Sequence, residues 1–544
     1  MSFVKNDGTT RREFVKEVAV GATGLAASSS LDAIAAAHDP TQEPKEQNEH
    51  GKWIEATAGF KDSLARVVKP GNIVSDPAVL EGYSRDCSFV ARGSPLLLVY
   101  PESAEEAQGI VRLANESKMP LIPVSSGPPR FHGDTVPGQG GIIVDFSRMN
   151  HIIRIDPINR CAAIEPGVTY GQLIPELKRD GLKLNIPLLP RAAKSVLASR
   201  LEREPNLIPK YQYDYIDPLL TLEAVYGTGD VLRTGSASGP GSLETLKADK
   251  VNPWGPGSID YFRFLSGAQG TMGLVTWATT KTEVLPSLQK IHFIPIKDVN
   301  NLTAPMTRLL RQRVVDECLA LNNINLAAML AEKWPEDFKE LRASLPPWTI
   351  IVCIAGYKRR PEERVAIQEK YLKNICEQLG LKSQNTLPGA RGKESTLLGL
   401  LSGPWEKEPY WKLRYKGSCY DIFFLTTLSR VPRFIELVRG VVEGYRYARE
   451  DVGCYVQPMV QGRGSHCEFN LYCDESNLTE LAEVKRLFMD TSEVLMKNGA
   501  FFSRPYSPWA DVVYGRLTES VAALRKLKGV FDPNNILNPG KLCF

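Results

Sequence analysis

Residues 122–169 read IPVSSGPPRFHGDTVPGQGGIIVDFSRMNHIIRIDPINRCAAIEPGVT. The segment starts as a strand, opens into a loop and closes in short strands. Ile142-Ile143-Val144 and Ile152-Ile153-Arg154-Ile155 have the apolar, β-branched content of buried strands. Between Val124 and Gly141 the chain is dense in Gly, Pro, Ser and Thr. Glycine lets the backbone approach a ligand with no Cβ in the way, so such a loop can turn several N–H groups toward one anion. A plain surface loop has a similar composition. The continuation Ile164-Glu165-Pro166-Gly167-Val168-Thr169-Tyr170 adds a second tight turn and favours the ligand-holding reading.

Working outward, residues 53–68 read as a leading helix and 96–100 (LLLVY) as a strand. Residues 101–114 read as a helix: Ser103 can cap it, Glu105 and Glu106 favour its positive end, and Ile110, Val111, Leu113 and Ala114 form its apolar face. Downstream, a helix covers 173–177, and 191–215 is irregular and charged. Residues 220–226 and 230–234 form a hairpin across Gly227-Thr228-Gly229. The stretch from Gly255-Pro256-Gly257 to Gly273-Leu274-Val275-Thr276 closes a first domain. From about residue 285, long helical patterns (302–330, 360–379, 431–450) alternate with strands such as 348–355. Residues 462–470 (GRGSHCEFN) alternate as a strand does, and the chain closes on FDPNNILNPGK at 531–541.

A chain of 544 residues can hold two or three sizeable domains. The net charge of +4 is small and dispersed, with no basic run interleaved with aromatics, so nucleic acid is not an expected partner. No stretch approaches the ~20 apolar residues of a membrane span. Thr10-Arg11-Arg12-Glu13-Phe14-Val15-Lys16, a mild apolar run over 18–31 and Ala35-Ala36-Ala37 resemble a twin-arginine (Tat) export signal with its cleavage site. The alternative is an amphipathic N-terminal helix. Ten cysteines, none in a C-x-x-C pair, support neither a zinc site nor a disulfide scaffold, and no metal is expected.

In order and spacing, the two loops, the Gly-Leu-Val-Thr turn and the FDPNNILNPGK ending resemble the vanillyl-alcohol oxidase and 4-cresol dehydrogenase family of FAD-binding oxidoreductases. The resemblance runs from about residue 76 to the C-terminus. It implies an α+β fold: a two-subdomain FAD-binding domain and an antiparallel-sheet cap (substrate) domain covered by helices. The expected boundaries are a Tat signal at 1–37, a linker at 38–58, the FAD-binding domain at 59–284, the cap at 285–500, and a segment at 501–544 that returns to the FAD-binding domain. The resemblance implies FAD binding by Ser125, Ser126, Gly127, His132, Gly133, Asp134, Gly141, Pro166, Gly167, Gly270, Gly273, Val275, His466, Cys467 and Lys541.

The family also implies where the chemistry sits. Glu202 matches an acidic residue beside the flavin, where a carboxylate could act as a base; alternatively it is a surface group paired with Arg200 or Arg203. Arg504 matches the arginine of a phenolate clamp, being a fixed, planar cation suited to an anionic oxygen. The two tyrosines of that clamp are absent: Ser503 and Pro128-Pro129 stand in their places, and Tyr506 is the substitute. Cys467 falls where a relative joins a histidine covalently to the flavin, with His466 beside it. His132, Tyr415 and Tyr420 are the other attachment candidates, and non-covalent FAD is favoured. The expected function is a periplasmic, 4-cresol dehydrogenase-like enzyme that oxidises an aromatic or benzylic C–H or alcohol and passes electrons to a separate c-type cytochrome. Its substrate would be small and aromatic or anionic, and its assembly a homodimer or heteromer. The alternatives are a 2-hydroxy-acid dehydrogenase, with Arg504 holding a carboxylate, or an oxidase using O2.

Overall fold

A computed structural model describes residues 59–209, 217–238, 245 and 261–544. The expected export signal and linker, and the glycines at 255–257, lie outside the described residues. Of the leading helix, 59–64 are described and helical.

Four strands build the first sheet: β1 (Ile73–Val74), β2 (Pro95–Val99), β3 (Leu121–Val124) and β4 (Gly141–Asp145), in the order β1-β2-β4-β3. β4 runs parallel to both β2 and β3. α1 (Ala104–Ser117) carries the chain across from β2 to β3, the two strands that flank β4. Ser103 accepts from the Glu106 N–H at 3.2 Å, so the cap read from sequence forms. All five residues of β4 are buried, as expected of a strand covered on both faces.

The second sheet is antiparallel, in the order β5-β6-β10-β8-β9: β5 (Ile152–Asp156), β6 (Cys161–Ile164), β8 (Leu219–Val225), β9 (Val231–Arg233) and β10 (Leu274–Lys281). β7 (Leu182–Lys183) and β11 (Glu283–Val284) pair beside it. The hairpin read at 220–234 is β8–β9. α2 (Tyr170–Arg179) starts at the second turn, with Thr169 as its cap.

Six antiparallel strands form the third sheet: β12 (Leu288–Ile296), β13 (Glu317–Asn322), β14 (Trp348–Gly356), β15 (Ser418–Thr426), β16 (Val452–Met459) and β17 (Gly464–Cys473), in the order β12-β14-β13-β16-β17-β15. Period-2 alternation sorts its residues. Cys467, Phe469, Leu471 and Cys473 of β17 join a core with Phe434, Ile435 and Val438 of one helix (Val431–Val442) and Val484, Leu487 and Leu495 of another (Leu478–Lys497). The intervening His466 and Glu468 line the main cavity. The long helix expected at 302–330 is instead a helix (Thr303–Arg311), the strand β13 and a second helix (Asn323–Leu330). The helix expected at 431–450 stops at Val442.

The C-terminal tail closes against the first sheet. Leu121 N–H donates to Ile536 O at 2.7 Å, and Asn538 N–H to Leu121 O at 2.8 Å.

Candidate active site

The two turns read from sequence are stitched together by a segment that sequence reading left irregular. Ser195 N–H donates to Ser126 Oγ at 3.0 Å, and Ser195 Oγ donates to Pro166 O at 2.6 Å. Gly127 N–H donates to Ala193 O at 2.9 Å, and Tyr170 N–H to Lys194 O at 3.0 Å. Ser195 also caps α3 (Val196–Leu201), which ends at Glu202. One serine thus fixes both turns and the helix that carries an acidic residue.

These turns open on a cavity with about 1730 Å³ of empty space, its mouth included. Its floor is built by Ser125, Ser126, Asp134, Thr135, Pro166, Gly270, Gly273 and Val275, and its far wall by Phe423, Tyr455, His466, Glu468, Arg504 and Tyr506. Of the residues read from sequence, His132 and Glu202 also line it. Gly127, Gly133, Gly141, Gly167, Cys467 and Lys541 do not. The four glycines serve packing: a Cβ would stand 3.0 Å from the Ala193 Cβ at Gly127, 2.2 Å from Val90 at Gly133, 2.6 Å from Pro120 O at Gly141 and 2.4 Å from Phe146 O at Gly167. Lys541 donates to Gly133 O at 2.7 Å and anchors the loop from behind. Cys467 points into the helix-side core because it alternates with His466, so the position matched to the flavin-linked histidine faces away from the cavity. Tyr415 bonds Asp451 at 3.1 Å, and Tyr420 bonds Glu475 at 2.7 Å; neither lines the cavity.

Two lysines organise the charges. Lys194 donates to Glu202 and to Glu204, each at 2.8 Å. Glu202 therefore pairs with Lys194, while Arg200 donates to Asn206 Oδ1 and Asn185 O. Burial pushes Glu202 up to about 7, aided by Glu204 and Asp134 and opposed by Lys194. Burial also acts to raise Glu204, but Lys194 and Arg504 outweigh it and bring that carboxyl down to about 2. Two like charges on one ammonium thus divide into a ready proton acceptor and a fixed anion. Lys412 repeats the motif, donating to Asp421 at 2.5 Å and Glu468 at 2.6 Å. His466 Nε2 lies 3.3 Å from Glu468 Oε2, and burial holds the ring neutral by lowering its pKa. His132 stacks on Tyr506 with centroids 4.4 Å apart, and burial lowers its pKa too.

Arg504 is 6% exposed and its guanidinium lies 4.3 Å from the Phe423 ring centroid. His466, His132 and Tyr506 flank the same ring at 5.9, 5.6 and 6.2 Å. A second, smaller cavity adjoins the first; Phe131, His132, Asp421, Phe423 and Tyr506 line both, and half-buried Cys87 and Ser88 line the second alone. Glu204 sits two residues from Glu202, so it was open to a sequence reading. Lys194, Lys412 and Asp421 carry no local signal.

The residues fit a dinucleotide cofactor. Two polar atoms of residues lining the cavity, Thr135 Oγ1 and His466 Nδ1, are buried without a partner. Such atoms mark positions for a ligand's donors and acceptors.

Comparison with known proteins agrees. Residues 95–199 match the FAD binding domain family, and residues 513–542 match the C-terminal domain of FAD linked oxidases. The glycolate oxidase subunit GlcD of Bacillus subtilis is 22% identical over 89% of this chain and 97% of its own length. The 4-cresol dehydrogenase [hydroxylating] flavoprotein subunit of Pseudomonas putida is 22% identical over 83% of this chain and 88% of its own. The crystal structure of p-cresol methylhydroxylase with substrate bound superposes with a TM-score of 0.77 at 20% identity, over 92% of this chain and 97% of that one. The chain is an FAD-dependent oxidoreductase with the α+β fold of vanillyl-alcohol oxidase and p-cresol methylhydroxylase, and its 95–199 and 513–542 segments match FAD-linked oxidase domains. Among the described residues no helix is long and apolar enough to cross a membrane.

Proposed function

We propose that the enzyme oxidises a small aromatic substrate bearing an ionisable oxygen, at a benzylic C–H or alcohol carbon. The observation that carries this reading is Arg504: a buried cation set on Phe423, in a wall completed by Tyr455, Tyr506 and His132. Flat rings suit an aromatic substrate, and a planar guanidinium suits its oxygen anion. Ser125, Ser126, Thr135, Pro166 and the Gly270–Gly273 turn would hold FAD, which supplies the two-electron acceptor when bound. Arg504 orients the substrate. Glu202, poised near neutrality, takes a proton from substrate or from water, while Glu204 stays ionised and keeps Lys194 charged. A steady-state screen of 4-alkylphenols, benzylic alcohols and 2-hydroxy acids with an artificial acceptor tests the assignment. Turnover confined to 2-hydroxy acids would reject it. That outcome is the second reading, favoured by the similarity to a glycolate oxidase subunit, with Arg504 holding a carboxylate.

The electron acceptor is proposed to be a c-type cytochrome subunit, in line with the similarity to a 4-cresol dehydrogenase flavoprotein subunit, and the enzyme to work in the periplasm after Tat export. Replacing Arg11 and Arg12 by Lys should keep the protein in the cytoplasm; unchanged periplasmic activity would remove this part.

A further inference from the structure

Four side chains join the main cavity to the smaller one in an unbroken line. His466 Nε2 faces Glu468 Oε2 at 3.3 Å; Lys412 Nζ donates to Glu468 Oε1 at 2.6 Å and to Asp421 Oδ2 at 2.5 Å. All four line the main cavity, and Asp421 alone among them also lines the second. The line is held from both sides. Asn470 Nδ2 donates to Asp421 Oδ1 at 2.6 Å and Glu468 Oε1 at 2.8 Å, and Asn325 Nδ2 donates to Asn470 Oδ1 at 2.6 Å. Cys419 Sγ donates to Asp421 Oδ1 at 3.3 Å. At the inner end, His466 Nδ1 is buried with no partner, and the ring shares the Phe423 face with Arg504.

We propose that His466, Glu468, Lys412 and Asp421 are a proton outlet that carries the substrate's phenolic proton to the second cavity, an inference that rests on the aromatic-substrate reading. The steps balance. The phenol O–H bond breaks and His466 Nδ1 gains the proton, leaving an oxyanion for Arg504. His466 passes its Nε2 proton to Glu468. Lys412 gives one Nζ proton to Asp421, turns about its Cε–Nζ bond, and as the amine takes the proton from Glu468. Asp421 releases its proton to water on the side of Cys87 and Ser88. His466 ends with its proton on Nδ1 and resets by exchanging ring tautomers; the other groups return to their starting state, one proton has moved, and no electrons travel this way. The charges facing His466 are Glu468, Arg504 and Lys412; those facing Asp421 are Lys412 and Glu468, with Cys419 beside it. Burial keeps His466 neutral and ready to accept, and raises Asp421 so that it can hold a proton in passing; at Glu468 and Lys412 burial is outweighed by their mutual ion pair, which holds the carboxyl low and the ammonium high, so each carries the proton only in transit.

The test uses the holoenzyme and 4-nitrophenol, whose phenolate absorbs apart from its neutral form, at a pH below the probe's own pKa. Difference spectra report ionisation on binding, and a pH-indicator dye in stopped flow reports the proton's arrival in solvent. Wild type should bind the probe as phenolate and release its proton in step. Lys412→Arg keeps the charge but cannot hand on a proton, and Asp421→Asn cannot accept one, so each should delay release by about a hundredfold while still binding the probe. A purely structural role for Lys412 would be rescued by arginine. Proton release at the wild-type rate in a folded Lys412→Arg or Asp421→Asn variant overturns the outlet alone. Failure of wild type to bind the probe as phenolate overturns the aromatic reading and the outlet together.

Discussion

Replacing Arg504 by Ala separates a substrate-holding role from a structural one. The guanidinium is 6% exposed and lies on Phe423 at 4.3 Å, and its charge lowers the pKa of both Glu204 and His466. If it pairs with a substrate oxyanion inside this cavity, its removal leaves a buried charge without a partner. Breaking such a pair typically costs ~3–5 kcal/mol, and at ~1.4 kcal/mol per tenfold kcat/KM should fall roughly a hundredfold to a few thousandfold. The contact with the Phe423 ring itself contributes about 0.5–2 kcal/mol. The variant should therefore keep its FAD spectrum and shift only modestly in thermal melting while losing turnover. Arg504→Lys should rescue poorly, because a point charge does not reproduce the planar fork. Steady-state kinetics on the substrate found by screening decide it. Near-wild-type kcat/KM in Arg504→Ala would refute the reasoning and remove the basis for an anionic substrate.

Three further outcomes follow from the same geometry. The kcat/KM profile should rise with pH through about 7, where Glu202 becomes a carboxylate able to accept a proton, and Glu202→Gln should abolish that limb; a limb that persists in the variant assigns it to another group. Gly270→Ala should lower FAD content and melting temperature, because φ is +72° and the new Cβ would stand 2.2 Å from Pro123 Cγ on the cavity wall; full flavin occupancy would show that this turn yields freely. Acid precipitation should release the flavin into the supernatant, since Cys467 faces the helix-side core; colour retained in the pellet would mean a covalent bond, and peptide mapping would name its residue.

The parts of the fold legible in sequence were those with strong local signals. The Ser103 cap, the β8–β9 hairpin and the loop from Val124 to Gly141 each rest on short-range backbone chemistry, and each is where it was read. β13 was missed because ECLALN sits between two helical stretches and is too short for its period to stand out, so tertiary pairing with β14 and β16 decides it. At Gly133, Gly141 and Gly167 the neighbour that excludes a Cβ is protein, a packing requirement that composition alone does not separate from cofactor contact. Cys467 faces the helix-side core, and strand alternation in residues 464–473 places 466 and 468 together on the opposite face. Arg504, Tyr506, His132 and Glu202 do converge on one cavity. Lys194 and Lys412, which set its electrostatics, pair with carboxylates between 8 and 56 residues away, and no local pattern announces such partners.

The central claim is best tested by anaerobic mixing of the purified holoenzyme with single substrates while flavin absorbance is followed. The account expects a 4-alkylphenol or a benzylic alcohol to bleach the oxidised flavin in wild type and to do so far more slowly in Arg504→Ala. Bleaching by 2-hydroxy acids alone, or equal bleaching rates in wild type and variant, would contradict it.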